Sequence, residues 1–146
     1  MIVLDTTVLV YAVGADHPLR APCQELVRAI ADGEITATTT VEVIQEFAHV
    51  RARRRDRADA ALHAADFADL LSPLIEVRES TLRAGLRRFA DARQVGAFDA
   101  VLASAAADAS HAEVGTVVSA DRAFAELPGI RHVFPDADGI AALLSA

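Results

Sequence analysis

Two short apolar runs in this chain each end on an acid. Ile2-Val3-Leu4 runs into Asp5, and Val117-Val118-Ser119-Ala120 runs into Asp121. Apolar runs without polar alternation are the mark of strands buried on both faces, and such strands belong to parallel sheets covered by helices. The other segments alternate to match. Strands are predicted at 1–5, 35–38, 74–77, 115–119 and 131–134. Helices are predicted through Val8–Tyr11, over 23–31, after Thr39 or Thr40, over 56–71, 80–93 and 98–109, and from Gly139 to the last residue, Ala146. Thr6 or Thr7 is a cap for the first helix, and Thr39 or Thr40 for the helix carrying Val43, Ile44, Phe47 and Val50. Leu62, Ala65, Phe67, Leu70 and Leu71 are the apolar positions of 56–71, and Leu82, Leu86 and Phe89 form one stripe on 80–93. This order predicts an α/β domain with a mainly parallel sheet and helices on both faces.

At 146 residues, the chain has the length of one domain, with no linker or repeat to divide it. Hydrophobic residues at 53% supply a core and exclude general disorder. No apolar run nears the roughly 20 residues that span a bilayer. Met1 to Asp5 lacks the basic start of a signal peptide, so a cytoplasmic protein is expected. The single Cys23 can form neither an internal disulfide nor a Cys-rich zinc site. All 14 basic residues are Arg, and the absence of Lys excludes a Walker A loop and Schiff-base chemistry. A net charge of −7 argues against broad capture of nucleic acid, but leaves room for a local basic patch or for cations in an acidic pocket.

Ligands of open parallel sheets bind outside the carboxyl ends of the strands. Asp5 and Asp121 fall at such ends, Asp99 opens a helix after Gly96-Ala97-Phe98, and Glu46 lies inside a long helix between Gln45 and Phe47. Each has a plain structural alternative. Asp5 and Asp121 suit helix caps or turns, and Asp99 complements a helix dipole. Glu42, one turn before Glu46, suits a solvated helix face. Glu46 is harder to dismiss, because carboxylates are rarely buried unpaired. Four carboxylates in one pocket require a cation, and Mg²⁺ and Mn²⁺ are the hard ions that take oxygen ligands.

The segments 2–10, 39–47, 98–103 and 117–124 resemble, in order and across almost the whole chain, the PIN-domain proteins, and more narrowly the VapC toxins of bacterial type II toxin–antitoxin pairs. The resemblance implies a Rossmann-like three-layer α/β/α sandwich with a short sheet and metal-dependent endoribonuclease activity. It implies an acidic quartet of Asp5, Glu46, Asp99 and Asp121, with Asp5, Asp99 and Asp121 on Mg²⁺ or Mn²⁺. Thr6 and Ser119 match the family's small hydroxyl positions. Glu46 is preferred to Glu42 because Val43-Ile44-Gln45-Glu46-Phe47 fits the family's apolar run around its acid. The implied partners are RNA, a small cognate antitoxin that covers the active site, and a second copy in a homodimer, with Val10 and Leu26 expected at such contacts and no membrane involved.

Five Arg fall within residues 51–57. Arg51, Arg53, Arg54 and Arg55 suit a solvated helix end, phosphate contacts with RNA, or docking of an acidic antitoxin segment. Arg122, beside Asp121, is a further phosphate candidate. With Tyr11, six Phe and no Trp, base stacking on aromatic rings is limited. His17, His49, His63, His111 and His132 lack metal-ligand spacing and read as packing or surface residues. The alternative from another class is a catalytically silent PIN-like module that binds RNA or protein. A haloacid-dehalogenase-type phosphatase would need an Asp at Thr7 and a Lys, and a dinucleotide-binding Rossmann domain would need a Gly-rich loop after the first strand.

Overall fold

The computed structural model describes residues 1–110 and 115–145, so His111 and the predicted helix end at Ala146 lie outside the described residues. β1 (Ile2–Leu4) is wholly buried and lies between β2 (Ala37–Thr38) and β3 (Gly115–Val118), with β4 (Ile130–Val133) beyond β3. Every pairing in the order β2-β1-β3-β4 is parallel. The chain leaves β1 toward β2 on one side and later returns to β3 on the other. A crevice for ligands opens at such a reversal. Leu4 is in register with Val118, and the Asp5 amide donates to the Val118 carbonyl at 3.0 Å. Residues 5 and 119 therefore leave the sheet side by side.

The helices are α1 (Thr6–Ala12), α2 (Arg20–Ala31), α3 (Val41–Arg54), α4 (Arg57–Leu70), α5 (Glu79–Asp91), α6 (Ala97–Ser110) and α7 (Ala137–Leu144). α6 lies on β1, β3 and β4, α1 packs on α2 and α3, α4 on α3, and α5 on α6. The expected α/β sandwich is thus formed around a core that includes Leu4, Leu9, Phe47, Val117 and Phe124, all fully buried. Alanines 100, 103, 105 and 106 let α6 sit close to the sheet. Gly85 lets α5 come closer still to α6: a Cβ there would stand 2.6 Å from the Val101 Cα.

Four expectations change. Residues 74–77 are not a strand. The edge strand β2 ends before α3 begins, so it offers only one further bridge, Thr40 to Ile75, with the Ile75 amide donating to the Thr39 carbonyl at 2.9 Å. Leu62 is 62% exposed, because α4 turns Ala60, Ala64 and Phe67 inward instead, with Phe67 edge-on to Phe47 at 5.1 Å. The Leu82, Leu86 and Phe89 stripe points outward, 43–47% exposed, while Thr81 and Gly85 form the packing face of α5. Leu26 is fully buried and is unavailable to any partner, whereas Val10 is half-buried.

Candidate active site

The site starts at the junction of β1 and α1. Asp5, only 3% exposed, caps α1 itself, in place of the expected Thr6 or Thr7. Its Oδ2 accepts from the Thr7 hydroxyl at 2.7 Å, the Ser119 hydroxyl at 2.7 Å and the Thr7 amide at 3.4 Å. Ser119 Oγ in turn accepts from the Asp121 amide at 2.9 Å, and Thr7 Oγ1 from the Ala120 amide at 3.0 Å. These hydroxyls join the ends of β1 and β3, leaving Asp5 Oδ1 with no hydrogen bond among the described residues. Asp121 caps the 3₁₀ turn 122–126 by accepting from the Ala123 amide at 2.8 Å. The capping readings of Asp5 and Asp121 are therefore correct, and they leave oxygens to spare.

Glu46 comes from the other side. Thr40 caps α3 by accepting from the Val43 amide at 3.3 Å, and the Thr39 hydroxyl donates to the Leu4 carbonyl at 2.6 Å, so the start of α3 is tied to β1. Two turns later Glu46 Oε2 accepts a short hydrogen bond from the Thr6 hydroxyl. Asp99 stands in the first turn of α6. A cavity of about 330 Å³ gathers all four, Asp5, Glu46, Asp99 and Asp121, together with Thr6, Thr7 and Arg54. Glu42 does not line it. That side chain turns toward α5, and its Oε2 is buried without a hydrogen-bond partner among the described residues.

The PIN domain model matches residues 2–130. Ribonuclease VapC7 of Mycobacterium tuberculosis is 55% identical over 148 aligned residues, covering 99% of this chain and 98% of that protein. This chain belongs to the PIN-domain family. Ribonuclease VapC13 of the same organism is 29% identical, over 91% of this chain and 99% of its own. The crystal structure of VapBC2 from Rickettsia felis bound to a DNA fragment from their promoter contains a chain of the same fold, with a TM-score of 0.69 at 18% identity, over 90% of this chain and 98% of that one.

The four acids of the cavity crowd one another. Burial pushes the Asp99 carboxyl up to about 7, and the charges of Asp5, Asp121 and Glu46 push in the same direction. Among the described residues no Arg forms a salt bridge with any of the four. Among the described residues no three candidate ligands are already drawn together as a coordination shell. Hard divalent ions do not need such a cage. Mg²⁺ usually keeps several waters and takes one or two carboxylates. An all-oxygen donor set that is crowded enough to hold a proton, but not closed, fits such an ion. PIN-domain ribonucleases of the VapC kind are generally metal-dependent, in keeping with this donor set.

The Arg run separates into different roles. Arg51 is fixed: its guanidinium pairs with Asp59, holding that carboxyl below its usual range, and donates to the Val13 carbonyl at 2.8 Å. Arg54 alone of the run lines the acidic cavity. Arg55 lines a neighbouring slot, and Arg53 is exposed elsewhere. Arg122 lies over the Phe134 ring at 3.9 Å. His132 packs against Phe124, with Nε2 2.8 Å from the Ser119 carbonyl, and His17 stacks on Tyr11. Thr7 is the residue that sequence reasoning undervalued. The signal was available, since a capping Asp reaches the second residue of its helix.

The Asp99 shift predicts a pH dependence. An ordinary Asp titrates near about 4. Between that value and about 7 the folded, metal-free protein holds a proton that the unfolded chain releases. The stabilising contribution is full below pH 4 and is lost as pH rises through 7. Metal-free protein should therefore melt several degrees lower at pH 8 than at pH 5, and Asp99→Asn should flatten that difference. Thermal melts across this range check it, and identical profiles for the two proteins would contradict it.

Proposed function

We propose that residues 1–146 form one PIN domain in which Asp5, Glu46, Asp99 and Asp121 hydrolyse RNA phosphodiester bonds, with Asp5, Asp99 and Asp121 holding Mg²⁺ or Mn²⁺. The activity class follows from kinship: the chain is a ribonuclease of the VapC type, the toxin of a toxin–antitoxin pair. The observation that supports the residue assignment is the gathering of four carboxylates, unpaired by any Arg among the described residues, at the carboxyl ends of β1 and β3.

A bound divalent ion supplies charge stabilisation at the phosphate and a water of lowered pKa. The chain's own residues do the rest. Ser119 and Thr7 hold Asp5 through Oδ2, so Oδ1 is left for a ligand. Thr6 orients Glu46, which is placed to take a proton from the attacking water. Arg54, the cation of the cavity, holds a phosphate oxygen of the RNA. Arg51 serves the fold, and Arg53, Arg55 and Arg122 are outer contacts for RNA or antitoxin.

A small antitoxin is the partner that restrains such a ribonuclease, and the cytoplasm, where RNA is found, is its place. No helix of the described residues is long and apolar enough to cross a membrane. The homodimer is supported by α5. Leu82, Leu86 and Phe98 are exposed and line one groove, an apolar face that suits a two-fold contact with a second copy.

Two experiments test these readings. Purified protein, free of antitoxin, should cut total RNA at discrete sites with Mg²⁺ or Mn²⁺. EDTA should stop it, and Asp5→Asn should slow it by at least about 100-fold. Cutting that survives both changes would refute the site. Sedimentation should show a dimer that Leu86→Glu converts to monomer, and a dimer that tolerates the change uses another face.

A further inference from the structure

Beside the acidic cavity lies a slot of about 190 Å³ that the proposed chemistry does not use. Val10 and Val50 line it over the buried Phe47, together with Arg54 and Arg55. We infer that this slot receives one nucleobase of the RNA, adjacent to the scissile phosphate, and sets the sequence preference of cleavage. The inference rests on the ribonuclease reading above and gives that substrate a second point of attachment.

Three observations carry it. First, the slot and the acidic cavity share Val10, Val50 and Arg54, so they adjoin along these three side chains. A strand whose phosphate sits at Arg54 has its neighbouring base at the slot's mouth. Second, the slot is smaller than the roughly 300–1,000 Å³ of drug-sized pockets, so it admits a single ring system and not a folded segment. Third, its polarity suits a base. The accessible walls are aliphatic carbon, while the exposed Arg54 and Arg55 form no salt bridge among the described residues and offer planar cations to base faces and phosphates. Arg51, also in the lining, ties α3 to the end of α1 through the Val13 carbonyl, so the slot is already formed. The chain has few aromatic side chains for stacking, and an apolar slot with Arg in its lining supplies another way to hold an unstacked base.

The test uses a short RNA containing one mapped cut, with each nucleotide around the cut replaced in turn by an abasic one. For the unaltered protein, one position should lower kcat/KM by about 10-fold or more, and the others by little. Filling the slot should abolish that difference. Ala15→Trp and Ala15→Phe both fill it from an exposed position that lines the slot and not the acidic cavity. In either variant, intact RNA should be cut as slowly as abasic RNA, within about 2-fold. A full abasic penalty that persists in both variants overturns the inference. So does the absence of any sensitive position. Loss of antitoxin binding in the variants with the abasic penalty unchanged assigns the slot to an acidic peptide and overturns it equally. Failure of the unaltered protein to cut any RNA is a separate result, which removes the ribonuclease reading itself.

Discussion

A carboxylate buried at the end of a strand, with no cation beside it, is the constraint on which this structure turns. Asp5 is 3% exposed and forms no ion pair among the described residues. Burying a charge without a partner is costly, and the protein meets that cost with hydroxyls from both sides of the sheet. Thr7 and Ser119 share Oδ2, and their own oxygens take the amides of Ala120 and Asp121. The same bonds that make Asp5 tolerable fix the loop carrying Asp121. Parallel register makes this possible, because Leu4 opposite Val118 brings residues 5 and 119 off the sheet together.

The remaining acids arrive on helices whose positions depend on close packing. Glu46 reaches Thr6 because Thr39 fastens the start of α3, capped by Thr40, to β1. Asp99 reaches the cavity because α6 is alanine-rich on its buried face and lies against β1, β3 and β4. The result is a cavity with four carboxylates on its walls. Burial, and then the charges of Asp5, Asp121 and Glu46, push the Asp99 carboxyl up to about 7.

Much of this was legible in the residues. Apolar runs ending on Asp5 and Asp121 marked the sheet and its functional edge, since buried parallel strands carry no polar alternation. Other features were not legible, for definable reasons. Glu42 and Glu46 share a helix face at one-turn spacing, so periodicity alone does not separate them. The structure does: one turn of rise puts Glu46 at Thr6 and Glu42 at the α5 groove. The stripe of Leu82, Leu86 and Phe89 has the spacing of a core face, but amphipathicity does not say what covers it. Gly85 and Thr81, small enough to let α6 approach, took the inward side. Residues 74–77 have strand composition, but the short β2 edge leaves only one bridging position.

Anomalous diffraction from crystals soaked in Mn²⁺ decides whether the four carboxylates form one site for a divalent cation. One strong peak is expected within ligand distance of Asp5 and Asp99 oxygens in the unaltered protein, lost in Asp99→Asn crystals soaked alike. A peak elsewhere with none between these carboxylates, or one that Asp99→Asn leaves unchanged, would contradict it.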